Sequence, residues 1–256
     1  MARDRRDTYY WRAKEEGYRS RAAFKLLQIN EKFNVIKEGD TVVDLGAAPG
    51  GWSEVAKKLS GGRVIGVDLQ RISPIEGVET IKGDITSETT IKKIFELVGE
   101  EGVDVVICDA APNLSGNWSY DHARSIDLSK SALGCAKKIL KPGGHFVVKV
   151  FQGDMFKGFL EEARTDFVQT KSFSPVASRS QSAEIYVIAN KFLKVPVKKG
   201  EELDVEITST GSTGDGVFRI QDFVVFVKGA REGDKVRIKV KDVKPNFAFA
   251  DVIARY

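Results

Sequence analysis

The sequence is poor in the residues that build metal centres and disulfide frameworks. It carries two cysteines and two histidines in 256 residues. Cys108 and Cys135 each sit in an apolar segment without metal-ligand spacing, which argues against a zinc module and reads as two buried thiols of an intracellular, cytoplasmic protein. His122 and His145 are too scattered for a metal site, so no metal is expected. No run of about 18 apolar residues occurs, which excludes a membrane-spanning helix and makes a membrane partner unexpected. The charged N-terminus lacks an apolar h-region, so a secretory signal is not expected either. Internal repeats and low-complexity stretches are also missing.

What is present is unevenly distributed. The net charge is +4, and residues 1–25 hold eight basic against four acidic residues, so this arm carries all of it. Arg3, Arg5, Arg6, Arg12, Lys14, Arg19, Arg21 and Lys25 alternate with Tyr9, Tyr10, Trp11 and Tyr18. Cations interleaved with stackable rings suit a nucleic-acid backbone and its bases; a solvated, unstructured tail has the same composition.

The stretch around which the rest is organised is Asp44-Leu45-Gly46-Ala47-Ala48-Pro49-Gly50-Gly51-Trp52. It follows an apolar run and precedes a helical pattern, the strand–turn–helix opening of a nucleotide-binding α/β unit. The spacing is neither G-x-G-x-x-G nor a P-loop, and an acidic residue before the turn would repel phosphate while accepting a bond from an ammonium group. S-adenosylmethionine has an amino acid end and no phosphate, so it is a candidate ligand; a tight turn without ligand is the alternative.

Further strands are expected at Arg63 to Leu69, Val78 to Lys82, Val103 to Cys108, His145 to Phe151, Phe167 to Phe173 and Ala183 to Ala189. The helices between them begin near Ser20, Ser53, Ser87, Ala123 and Met155, with Ser20 and Ser87 as caps. The last strand follows a loop and is expected to run antiparallel. The pattern predicts a doubly wound, mostly parallel seven-stranded α/β sheet over residues 1–193. Asp44, Asp68, Asp84 and Asp109 then fall at the carboxyl ends of strands, where such sheets bind ligands. From about residue 194 the texture changes to short β runs punctuated by glycine, a small barrel of about five strands over residues 194–256. Its phenylalanines, Phe218, Phe223, Phe226, Phe247 and Phe249, are expected mostly in its core, with a few exposed to stack on RNA bases.

Five motifs in order carry a resemblance. Tyr18 to Leu26 (YRSRAAFKL), the Asp44 to Trp52 loop, Asp109-Ala110-Ala111-Pro112-Asn113, Val148-Lys149-Val150-Phe151 and Ser182-Ala183-Glu184-Ile185-Tyr186 resemble the FtsJ/RrmJ ribose 2′-O-methyltransferases. The final segment resembles a TRAM domain, an OB-like RNA-binding barrel, and the pairing looks like the archaeal branch of the family. The resemblance implies a Rossmann-like methyltransferase fold, S-adenosylmethionine as methyl donor, and a uridine ribose of large-subunit ribosomal RNA, free or in the subunit, as substrate. It also implies a catalytic tetrad of Lys25, Asp109, Lys149 and Glu184, with Lys149 as general base. Gly50 and Gly51 would approach the methionine moiety, Asp68 the ribose hydroxyls and Asp84 the adenine amino group, with Trp52 as a wall and Asp109 bordering donor and catalytic group. A monomer is the default expectation.

A 2′-hydroxyl is a poor nucleophile, so such an enzyme must align it with the methyl group and remove its proton. Burial and a second cation at Lys25 would favour a neutral Lys149; Asp109 and Glu184 would favour the charged form. A lysine that only positions the ribose is the competing reading. Three further alternatives stay open on sequence alone: a base methyltransferase, a transfer-RNA ribose methyltransferase, and an RNA-binding protein without catalysis.

Overall fold

The computed structural model describes residues 7–179, 182–193, 195–220, 223–244 and 247–256. The chain divides into two compact units, Met1–Phe192 and Leu193–Tyr256.

The larger unit is a seven-stranded sheet made of β1 (Val42–Leu45), β2 (Val64–Asp68), β3 (Val78–Lys82), β4 (Val103–Cys108), β5 (Leu140–Phe151), β6 (Phe167–Phe173) and β7 (Glu184–Phe192), in the order β3-β2-β1-β4-β5-β7-β6. Strands β1 to β5 are parallel, and β7 lies antiparallel between β5 and β6, as the missing crossover predicts. Strand alternation feeds two cores. Val106, Cys108, Val148 and Val150 face helices α4 (Glu88–Val98), α5 (Trp118–Ile139) and α6 (Phe156–Asp166). Val105, Ile107, Val147 and Tyr186 face α2 (Ala23–Phe33) and α3 (Gly51–Ser60). A strand buried on both faces reads as an unbroken apolar run, which is why β4 stands out in the sequence.

Two local expectations are corrected, and a third is met in position only. Strand β5 begins at Leu140, because Leu140 pairs with Val103 and His145 with Val105, so the Pro142-Gly143-Gly144 turn bulges within the strand. Helix α2 starts at Ala23, with Ala22 as a cap that makes no side-chain bond, so Ser20 is not its cap. The capping position of α4 is Ser87, again without a side-chain bond.

The N-terminal segment also differs from a free basic arm. Residues Thr8–Glu15 form a helix, α1, capped by Asp7, whose carboxylate accepts from Tyr10 N at 3.1 Å. Tyr9 and Tyr18 pack on Phe24 with ring centroids 5.5 and 5.6 Å apart. Arg21 pairs with Asp7 and donates to the Ala177 carbonyl at 2.5 Å, tying α1 to the β6–β7 connection. Trp11 remains exposed. Arg3, Arg5 and Arg6 lie outside the described residues.

The smaller unit is a curled six-stranded sheet of β8 (Glu202–Glu206), β9 (Ser209–Thr210), β10 (Gly216–Ile220), β11 (Phe223–Lys228), β12 (Lys235–Val243) and β13 (Phe247–Arg255), ordered β8-β12-β13-β11-β10-β9. The two-residue β9 raises the expected five strands to six. All pairs are antiparallel except β11–β13. Register shifts between Arg237 and Ile238 and between Val240 and Asp242 bend β12, which lets the sheet curl over its own core. That core includes Val225, Val227, Val236, Ile238, Val240 and Ala250. Phe218 and Phe223 are buried, whereas Phe226, Phe247 and Phe249 form a mutual cluster with centroids 5.3 to 5.9 Å apart. Phe249 is exposed.

Candidate active site

The parallel strands β1, β2 and β4 bring three carboxylates to one rim of the sheet. Asp109 is the residue after β4, Asp68 ends β2, and Asp44 lies one residue inside the end of β1. Asp84 follows β3 by two residues at the sheet edge, where Thr86 N and Oγ1 both donate to its Oδ1 at 2.8 and 2.7 Å. Those two bonds hold its carboxyl below the usual range.

The glycine-rich turn is held by its neighbours. Gly46 has φ +71° and Gly50 φ +110°, both in the left-handed region that glycine adopts freely. A Cβ on Gly51 would stand 2.3 Å from Ser20 Oγ, so the segment before α2 closes on the turn and sets the need for glycine there. Arg19 fastens this closure: its guanidinium pairs with Glu54 at 2.9 Å and reaches the carbonyls of Ser73 at 2.9 Å and of Pro74. Its part was hidden in the sequence among the basic residues of the arm. Asp68 Oδ2 accepts from Ala48 N at 3.0 Å and its Oδ1 from Gln70 N at 2.7 Å, so this carboxylate is also part of the turn. Asp44 is buried, and Ser53 Oγ donates to it at 2.6 Å. Burial pushes its carboxyl up to about 7, with the Ser53 bond opposing and the Asp109 and Asp68 charges adding.

The four tetrad residues meet as two ion pairs. Lys149 Nζ lies 3.0 Å from Asp109 Oδ1 and donates to the Asp109 carbonyl at 2.5 Å; it is 9 % exposed. Lys25 Nζ lies 2.6 Å from Glu184 Oε1, and both side chains are about nine-tenths buried. Tyr186 joins the pairs. In the β5–β7 ladder it stands opposite Lys149, its hydroxyl donates to Asp109 Oδ1 at 2.5 Å, and the Lys25 ammonium is 5.8 Å from its ring centroid. Burial, reinforced by the Asp109 charge, raises the Tyr186 hydroxyl well above its ordinary pKa, so it stays a donor. Tyr186 belonged to a recognised motif, yet nothing in its spacing gave it this role.

Trp52 is 3 % exposed, stacks on Tyr186 at 5.6 Å, and donates its indole N–H to the Ala22 carbonyl at 2.9 Å. It packs behind Tyr186 in the core of the α2–α3 face. Cys108 is buried next to Asp109, and desolvation pushes its thiol up to about 12, which leaves it a poor nucleophile.

The arrangement fits a methyl donor with an amino acid end and a ribose. The first turn of α3 offers backbone N–H groups to a carboxylate. Asp44 offers an acid to an ammonium, and Asp68 keeps lone pairs free for hydroxyls. Among the described residues, no cluster of three or more metal-ligating side chains occurs, and no helix is long and apolar enough to cross a membrane.

Comparison with known proteins places this geometry. Residues 18–192 match the FtsJ-like methyltransferase family model, and residues 196–253 match the TRAM domain. The chain is 71 % identical over 255 residues to the ribosomal RNA large subunit methyltransferase E of Methanosarcina mazei, covering 100 % of this chain and 95 % of that one. It is 49 % identical to the protein of the same name from Natronomonas pharaonis, covering 97 % and 99 %. A crystal structure of a ribosomal RNA methyltransferase from Plasmodium falciparum superposes with a TM-score of 0.63 at 28 % identity, over 69 % of this chain and 99 % of that one. The chain therefore belongs to the FtsJ-like methyltransferase family and carries a TRAM domain at its C-terminal end.

Proposed function

We propose that this chain transfers a methyl group from S-adenosylmethionine to the ribose 2′-hydroxyl of a uridine in large-subunit ribosomal RNA, with Lys149 as general base. The observation that carries the reading is Lys149 itself. A lysine in the apolar run of β5, 9 % exposed and held on Asp109 at the rim where the glycine turn ends, needs a chemical reason to be there. Family membership and the names of the full-length relatives support the substrate class.

When bound, the donor supplies a methyl group already activated on a sulfonium. Asp68 would hold its ribose hydroxyls, the N-terminal turn of α3 at Gly50 and Gly51 its carboxylate, Asp44 its ammonium and Asp84 its adenine amino group. Lys149, after releasing a proton to solvent, would take the proton of the attacking 2′-hydroxyl at Nζ. Asp109 and Tyr186 fix the direction of that Nζ, and proper alignment is a large share of what such a site contributes. Glu184 orients Lys25, whose ammonium stands over the Tyr186 ring, where it would meet the ribose. In the smaller unit, Phe226, Phe247 and Phe249 offer rings to unpaired bases, and RNA affinity should fall with salt. The protein then works in the cytoplasm, on the large subunit or its free RNA.

The test is methyl transfer to total RNA from a strain lacking this enzyme, with the modified site mapped. A ribose-linked methyl on large-subunit RNA is expected; a base-linked methyl, a transfer-RNA site or no methyl would refute the assignment. K149A, measured in single turnover, should lose at least a hundredfold in rate, the usual contribution of a positioned general base, while keeping donor affinity. Loss of donor binding with an unchanged rate at saturation would remove Lys149 from catalysis.

A further inference from the structure

The connection from β4 into α5 carries exposed aromatic rings for which methyl transfer itself has no use. Trp118 is 51 % exposed and Tyr120 56 %, although both lie in the first turn of a long helix whose other face is core. Paired exposed rings of this size are more informative than scattered exposed leucines. The inner face of Trp118 is already occupied. It lies nearly parallel to His122, at 6.0 Å and 14°, and to Phe151, at 6.2 Å and 16°. Its outer face is left to water, as a flat surface stiffened from behind.

The segment is held rigidly. The Asp121 carboxylate accepts from Ser115 N and Oγ at 2.8 Å and from Gly116 N at 3.1 Å, and Asn117 Oδ1 accepts from Tyr120 N at 3.2 Å. Helix α5 is in turn fastened to β5 beside the tetrad: Phe151 N donates to Ser125 Oγ at 3.0 Å, and Ser129 Oγ lies 3.0 Å from the Lys149 carbonyl. Phe151 follows Lys149 by two residues, so both side chains leave the same side of the strand, about 7 Å apart. Opposite Phe151 in the ladder is Glu184. The ring stack is therefore continuous with the strand ends that carry the tetrad.

Charge along this segment points the same way. Asp121 is buried and consumed by the loop, while Arg124 is exposed. The Arg124 guanidinium stands 5.6 Å from the Tyr120 ring centroid and donates to the Asn113 carbonyl at 3.2 Å. An exposed cation beside one exposed ring, Tyr120, with a second exposed ring at Trp118 in the same helical turn, supplies the groups that grip an unpaired base and the phosphate next to it.

We propose that Trp118, with Tyr120 and Arg124, is a stacking site for an unpaired RNA base adjoining the reacting ribose, so that the substrate strand enters over the start of α5. The inference rests on the methyl-transfer reading and adds to it the element that positions the strand. The target must then present at least one unstacked base beside the methylated nucleotide, which selects a single-stranded or opened region over a regular helix.

The test uses the full chain carrying W11F, which leaves Trp118 as the exposed indole, since Trp52 is buried. A short oligouridylate should quench the Trp118 emission saturably, and Y120A should weaken that binding. W118A should lower kcat/KM for a large-subunit RNA transcript about ten- to a hundredfold, the worth of one stacked base, with donor affinity unchanged. W118F keeps a ring over His122 and Phe151; it should recover most of the loss and guards against misfolding as the cause. Wild-type kcat/KM in W118A, together with no quenching, overturns the proposal. So does a change of oligomeric mass in W118A without a change in RNA affinity, which would assign the rings to a second copy of the chain. If the wild-type protein moves no methyl to RNA while oligouridylate still quenches Trp118, the methyl-transfer reading fails and the stacking site stands.

Discussion

Replacing Tyr186 by phenylalanine removes one oxygen atom from the centre of the site and little else. The ring is fully buried between Trp52 and the two lysine–acid pairs, and phenylalanine keeps its shape. What is lost is the 2.5 Å bond to Asp109 Oδ1, the same oxygen that lies 3.0 Å from Lys149 Nζ. A hydrogen bond to a charged acceptor contributes about 1.5–3 kcal/mol. Burial of the hydroxyl offsets part of this, because the tyrosine had to be dehydrated to make the bond. The expected loss of stability is therefore about 1–2 kcal/mol, or a fall in melting temperature of about 2–8 °C for a unit of this size.

The effect on rate is separable from the effect on stability. If Tyr186 sets the direction of Asp109, and Asp109 that of Lys149, then Y186F loosens the base at the moment it must accept a proton. A transition-state loss of about 1.5–3 kcal/mol corresponds to a ten- to about hundredfold fall in kcat, with KM for the RNA and donor affinity nearly unchanged. Single-turnover transfer at saturating substrates, alongside calorimetric unfolding, reads both quantities. Unchanged kcat with a lowered melting temperature would make Tyr186 packing alone. A wild-type value for both would show that the Asp109 bond contributes nothing.

The remaining expectations concern the donor pocket and the C-terminal unit. D68N keeps the shape of Asp68 and removes its charge, and should weaken donor binding about tenfold by calorimetry, one charged hydrogen bond's worth; unchanged affinity would free Asp68 of that role. Asp44 holds its proton up to about pH 7 when free, whereas a neighbouring ammonium favours the carboxylate. Donor affinity should therefore rise with pH through about 7 and level off above it, with proton release on binding at pH 6 that D44N abolishes. For the free protein the sign is opposite: a raised carboxyl pKa stabilises the fold below the unfolded value near 4, and that contribution is lost as pH rises through 7. F249A should reduce RNA affinity about tenfold with donor binding intact, measured by filter binding across a salt series.

Much of the larger unit could be read directly because its central strands are buried on both faces. The runs at β1, β4 and β5 leave little choice of secondary structure, although Pro142-Gly143-Gly144, which reads as a strand boundary, bulges within β5. Helix α1 escaped notice because its apolar stripe is short and its charges resemble those of a tail. What makes it a helix, the Asp7 cap and the contact of Tyr9 and Tyr18 with Phe24, is supplied by tertiary packing. The same packing removes Arg19 and Arg21 from any free basic arm, since one closes the glycine turn and the other anchors α1. Composition counts charges but cannot say which ones are already spoken for.

The sequence named the four charged residues but not which of them pair. Position in the chain brings Lys25, Asp109, Lys149 and Glu184 toward one rim, but who meets whom depends on the β5–β7 register. That register sets Lys149 against Tyr186 and Phe151 against Glu184. A slip of one residue would turn Tyr186 to the other face of the sheet, remove the hydroxyl from Asp109, and carry Glu184 away from Lys25. The register is enforced by the cores, because Tyr186 and Ile188 belong to one face and Val187 and Ala189 to the other. The apolar residues of β7 therefore decide the electrostatics of the site: by fixing which side Tyr186 faces, they give each lysine its own carboxylate and set one tyrosine between the pairs, its hydroxyl on Asp109 and its ring against Lys25.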